Sequence, residues 1–209
     1  MPNHVTTVVN LVGPQDEITR FWSTVAGKES EFDFNRIVEQ PPELEITSDG
    51  MIDYLQSEYT EKLPVKELVT KLLELDSETL ENFFAGIRNL RKHGHASWYG
   101  WRCGKWGTKW NAYDIGIISS TSFSFDTAWA HPYPVFAKLS EMFPSVRFEL
   151  RYADENIGSN MGHYAILGGQ VMELTQFERG SEAALQFAGE IKGRDYEDYV
   201  EEDEEEEEG

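Results

Sequence analysis

The 209-residue chain has a single cysteine, Cys103, which excludes an intramolecular disulfide framework and suits a reducing compartment. No apolar run approaches the length that spans a bilayer. The opening MPNHVTTVVN lacks the basic segment and apolar stretch of a secretory leader, so the expectation is a soluble cytoplasmic chain with no membrane partner. Bases are scarce, 18 Lys and Arg against 38 Asp and Glu for a net charge of −20, and such a charge repels polyanions overall. Catalytic signatures are missing too: no glycine-rich phosphate loop, no His-Glu-x-x-His and no nucleophile elbow. A structural zinc needs four ligands. His93, His95 and Cys103 lie close in sequence, but a fourth would have to come from His131, His163 or a remote carboxylate. No metal and no cofactor is therefore expected. Asp154 and Glu155 follow a strand pattern but have no partner for acid–base work, and Cys103 near His95 is no better supported as a nucleophile. The reading leans away from an enzyme.

What is present is unevenly placed. From Asp195 to Glu208 there are 11 acidic residues and no Lys or Arg, which leaves 27 acids against 18 bases in the rest of the chain. Composition marks this tail, 195–209, as disordered. Between Arg88 and Lys109 the sign reverses, with six bases and no acid. Inside that stretch and just beyond it, WYGWRCGKWGTKWNAYD (98–114) interleaves tryptophan and tyrosine with cations. Trp98, Tyr99, Trp101, Arg102, Lys105 and Lys109 are the candidate binding residues, either as a protein anchor or as a stacking surface for single strands. The glycines at 100, 104 and 107 also permit turns that pack rings into a core, with Trp106 and Trp110 the expected core members and Trp98, Tyr99 and Trp101 the expected exposed ones.

Periodicity supplies the architecture. VTTVVNLV (5–12) reads as a strand, and Ile18, Phe21, Trp22 and Val25 as one face of a helix. Residues 43–94 read as an inserted helical hairpin, with stripes at Val65–Leu73 and Leu80–Leu90 joined near Asp76-Ser77. Strand patterns return at 112–119, in TSFSFDT (121–127) and in VRFELRY (146–152), with a helix from about Val135 to Phe143 between the last two. HYAIL, Gly168-Gly169 and QVMEL form a predicted hairpin with a type I′ turn, followed by a helix near 181–192. The order predicts an α+β fold: a ferredoxin-like antiparallel sheet with helices on one face. Its second strand is either 32–38 or 112–119. The predicted segments are 1–42 as the first strand and helix of the core, 43–94 as the insertion, 95–194 as the rest of the core, and 195–209 as the tail. The solvent face would carry Ser122, Ser124, Asp126, Arg147, Glu149 and Arg151, with no aromatic platform for RNA.

Five phrases, MPNHVT (1–6), FDFNRIV (32–38), WGTKWNAYD (106–114), FDTAWAHPYPVFAKLSEMFP (125–144) and YADENIG (152–158), form a set that resembles the YubB-type family of phage and conjugative-plasmid proteins. The resemblance runs from residue 1 to about 170, with gaps in the helical insertion. It implies a ferredoxin-like C-terminal part and a mobile-element origin, and it assigns no active site. Two readings of function follow. The first is a non-catalytic module that binds a host or phage protein through the aromatic–basic island. The second is a single-stranded nucleic-acid binder using the same island, autoinhibited by the acidic tail.

Overall fold

The computed structural model describes residues 3–46, 69–70, 72–156 and 158–193. Val65 and Leu68 of the first hairpin stripe, and the whole tail 195–209, lie outside the described residues. The chain divides into two compact units, one of Met1–Val38 with Trp106–Gly209 and one of Glu39–Lys105.

The first unit is a six-stranded sheet. Its strands are β1 (His4–Val12), β2 (Tyr113–Ser119), β3 (Ser122–Ala128), β4 (Arg147–Asp154), β5 (Gly162–Leu167) and β6 (Gln170–Thr175). They lie in the order β2-β3-β1-β4-β5-β6, and every neighbouring pair is antiparallel. The first four strands have the ferredoxin-like arrangement, and the second of them is 113–119. The alternative, 32–38, is a 3₁₀ turn at Phe34–Arg36, because the Asp33 carboxylate accepts from the Asn35 amide and turns the backbone.

Helices α1 (Gln15–Val25) and α2 (Tyr133–Met142) bury Ile18, Phe21 and Val25, and Val135, Phe136 and Leu139. The sheet meets them with Val5, Val9, Phe123, Phe125, Phe148 and Leu150, all fully buried. Strict alternation along each strand sends these residues to one face. Phe21 gathers the aromatic centre, its ring centroid 5.9 Å from both Phe123 and Phe148 and 5.7 Å from Phe143. Full burial of each ring is worth about 1.5–3 kcal/mol.

The expected arrangement puts the helices on one face; the last helix, α3 (Glu182–Lys192), lies on the other side of the sheet from α1 and α2. Arg151, which alternates with the inward Leu150, pairs with Glu190 and holds its guanidinium 5.0 Å from the Phe187 ring. Lys192 Nζ donates to the His4 carbonyl at 2.8 Å and to Thr6 Oγ1 at 3.0 Å. Ser181 caps the helix by accepting from the Ala184 amide at 3.2 Å, and Gly193 ends it at φ 68°. In the β5–β6 turn Gly168 and Gly169 have φ of 55° and 80°, the pair of positive values that a type I′ turn requires.

The second unit holds α4 (Ser77–His93) and α5 (Trp98–Lys105). Asp76 caps α4 by accepting from the Thr79 amide at 2.9 Å, and Gly94 ends it at φ 76°. Asn89 Nδ2 donates to the carbonyls of Glu43 and Ala96, tying the flanking segments to α4.

Candidate functional site

One end of the sheet, where β1 begins and β3 and β4 finish, gathers four of the five phrases noted in the sequence. MPNHVT supplies Asn3 and His4, WGTKWNAYD supplies Lys109, Trp110 and Tyr113, FDTAWAHPYP supplies Asp126 and Trp129, and YADENIG supplies Asp154 and Glu155. Antiparallel register brings them together, since His4 faces Ala128 and Val5 faces Asp154. The fifth phrase joins through Asn111. Its Oδ1 accepts from the Phe34 amide at 2.8 Å and its Nδ2 donates to Asp33 at 2.8 Å. Trp106, fully buried as its place beside a strand suggests, donates Nε1–H to the Val38 carbonyl at 2.9 Å.

This frame presents two indoles to solvent. Trp129 is 44% exposed and Trp110 36% exposed. Lys109 Nζ lies 4.5 Å from the Trp129 ring centroid and 4.9 Å from that of Trp110, so one ammonium faces both rings. Trp110 also meets the Tyr113 ring at 6.3 Å, edge to face. Trp129 has φ 70°, a left-handed conformation that a bulky side chain rarely adopts. Its amide donates to the Asn3 carbonyl at 2.8 Å, and its carbonyl accepts from Asn160 Nδ2 at 3.0 Å. Strain of this kind persists only where the surroundings over-determine it, and it clusters at functional sites.

The electrostatics of this end are mixed. The Tyr113 hydroxyl is hydrogen-bonded to His4 Nδ1 at 2.7 Å. Burial, and then the charges of Asp126, Asp114 and Glu155, push its pKa up to about 12. Asp126 accepts from Thr6 Oγ1 at 2.6 Å, while Asp114 and Glu155 are exposed.

Asp154 ends β4. It is buried, and its two oxygens accept from Asn3 Nδ2, the Asn156 amide and Asn160 Nδ2 at 3.2, 2.8 and 2.7 Å. It acts as a clip for the loop behind Trp129. Beneath this end His131 is buried, with Nδ1 2.9 Å from Thr7 Oγ1 and Nε2 2.7 Å from the Tyr164 hydroxyl. Its ring stacks on Tyr152 at 4.4 Å, and burial holds its pKa down at about 3. A neutral imidazole with one donor and one acceptor nitrogen satisfies both hydroxyls, which makes this a core hydrogen-bond chain.

The island expected from sequence is divided between the units. Trp98, Tyr99, Trp101, Arg102 and Lys105 fall on α5, and Lys109 falls in the sheet unit. Trp101 is buried and Trp110 exposed, the reverse of the expected assignment. Trp101 turns inward because residues 98–105 are a helix rather than a glycine-broken loop. The i, i+3 spacing of Trp98 and Trp101, with basic residues in the last turn, is the signal that fits that helix. Trp98 and Tyr99 are half-buried, with rings edge to face at 5.8 Å. Arg102 lies 4.8 Å from the Trp98 ring centroid and donates to Gln40 at 2.6 Å and Glu45 at 3.0 Å. Sequence reasoning missed Trp129, whose signal is a lone tryptophan at the end of a strict alternation. His95 packs against Gly104, and burial followed by the Lys105 charge lowers its pKa. Among the described residues no three His, Cys, Asp or Glu side chains stand together as metal ligands. No helix among them is long and apolar enough to cross a membrane.

An open cleft of about 760 Å³ lies beside the Asn111 joint, lined by Gly27, Lys28, Asp33 and Arg36 among others. It mixes both charge signs.

One family model agrees with the fold. Residues 105–208 match the family described as the ferredoxin-like domain in Api92-like protein. The match covers the part of the chain from just before β2 onward, and together with β1 the strand order is that of a ferredoxin-like domain. A crystal structure of a protein api92 from Yersinia pseudotuberculosis is similar at 10% identity and TM-score 0.46, covering 87% of this chain and 100% of that one. No curated protein matches the sequence.

Proposed function

We propose that this is an accessory protein of a phage or conjugative plasmid, working in the host cytoplasm by binding a host or phage protein rather than by catalysis. The observation that carries this reading is the Trp110–Lys109–Trp129 cluster. Two tryptophans at least a third exposed, and a cation, are held on a frame drawn from four separate stretches of chain. Exposed aromatics on a rigid support are what protein interfaces use as anchors, because tryptophan supplies large contact area at small entropic loss. Trp98, Tyr99 and Arg102 on α5, with Lys105 at its end, offer a second patch of the same chemistry.

A second reading has one observation in its favour: indole faces beside lysine also suit single-stranded nucleic acid. Opposing it are the exposed carboxylates of Asp114 and Glu155 at the same end of the sheet. Affinity capture from host cells, with wild-type chain and the double variant Trp110→Ala/Trp129→Gly as baits, tests the preferred reading. A protein retained by the first and lost by the second is the expected result. Identical captures from both baits, with salt-sensitive binding of labelled single strands by a version ending at Arg194, would transfer the site to the nucleic-acid reading.

A further inference from the structure

Lys109 identifies what the two indoles bind. Its ammonium is placed over both ring faces, and among the described residues it forms no ion pair. The contacts its ammonium makes are with the two π faces. Lys192, also at this end, is engaged by the His4 carbonyl and Thr6 hydroxyl. The carboxylates of Asp126, Asp114 and Glu155 lie round Tyr113, whose ring meets that of Trp110. Two indoles with carboxylates alongside form a receptor for a cationic side chain, and a chain of net charge −20 draws basic segments toward it.

We propose that the Trp110–Trp129 pair is a cation–π site for an arginine of a basic segment in the partner, and that Lys109 occupies it in the free protein. The proposal rests on the protein-binding reading and deepens it by giving the partner's chemistry. Arginine is the better occupant because its planar guanidinium stacks on an indole face and is more weakly hydrated than an ammonium. Its remaining N–H donors would be directed to the neighbouring carboxylates. Lys109 competes from within the chain, so a partner's arginine binds only by displacing it.

The test uses a fluorescein-labelled peptide of alternating arginine and glycine, with an acidic peptide and a single-stranded oligonucleotide as controls. In the free protein the Lys109 ε-methylene protons should resonate upfield, shielded by the two rings, and should move toward the ordinary lysine position as the arginine peptide saturates. Lys109→Ala should bind that peptide several-fold more tightly than wild type, and Trp129→Gly about tenfold more weakly. Glycine is chosen because it adopts φ 70° freely, so the ring is removed without unfolding the loop. Trp110→Ala gives an independent variant, and thermal melts check the fold of each. Weaker peptide binding by Lys109→Ala, or affinity unchanged in both tryptophan variants, overturns the proposal. If the arginine peptide binds no form of the protein while affinity capture still loses a partner with the double variant, this inference falls and the protein-binding reading stands. If capture shows no loss either, both fall.

Discussion

Trp129 is the residue on which the site turns. Its left-handed backbone costs about 1–2 kcal/mol for any residue with a Cβ, and glycine escapes that cost. In urea unfolding Trp129→Gly should therefore be about 1 kcal/mol more stable than Trp129→Ala, since both lose the ring and only one keeps the strain. Equal stabilities would mean that the loop relaxes, and that nothing enforces the ring's placement. His131 supplies the second residue-scale prediction. Its folded pKa is about 3, against an ordinary 6.5 in the unfolded chain. Between those values the unfolded chain takes up a proton that the folded chain refuses. The contribution is thus complete above about pH 6.5 and falls toward pH 3 by about 1.4 kcal/mol per unit. From pH 6.5 to 5 the wild type should lose about 2 kcal/mol more than His131→Gln. Parallel losses in the two proteins would show that the imidazole is not held neutral.

At the scale of elements, patterning made most of the fold legible. The alternation of Phe123 and Phe125, and of Phe148 and Leu150, marks two central strands, and all four side chains are buried in the sheet's inner layer. The glycine pair at 168–169 marks the β5–β6 hairpin in the same way. Legibility fails where a side chain competes with the backbone. Phe32-Asp33-Phe34-Asn35 looks extended, yet Asp33 and Asn111 take up its amides and wind it into a 3₁₀ turn. Asn111→Ala strands the Phe34 amide and should lower stability by about 2 kcal/mol, a loss readable in a denaturant midpoint. A change within a few tenths would show that water serves that amide equally well. The aromatic site was half legible for the same kind of reason. Its residue types stand out in sequence, but which tryptophans face solvent depends on the helix at 98–105 and on one positive φ. Ser181→Ala, which removes the α3 cap, should cost about 1 kcal/mol. A silent substitution would mean that the Arg151–Glu190 and Lys192 contacts alone hold that helix to the sheet.

On the scale of the whole molecule, the net charge of −20 and the exposed indoles impose opposite demands. Charge keeps copies of the chain apart and repels nucleic acid, while the tryptophans need an apolar or cationic surface to cover them. The proposed partner, a protein with a basic segment, would satisfy both. The most direct measurement is site-specific photo-crosslinking inside the host cell, with benzoylphenylalanine placed singly at Trp110, at Trp129 and, as a control, at the exposed Ile118 of β2. The account predicts one protein adduct, the same at positions 110 and 129 and missing at 118. Nucleic-acid adducts at the two tryptophan positions, or equal labelling at all three, would contradict it.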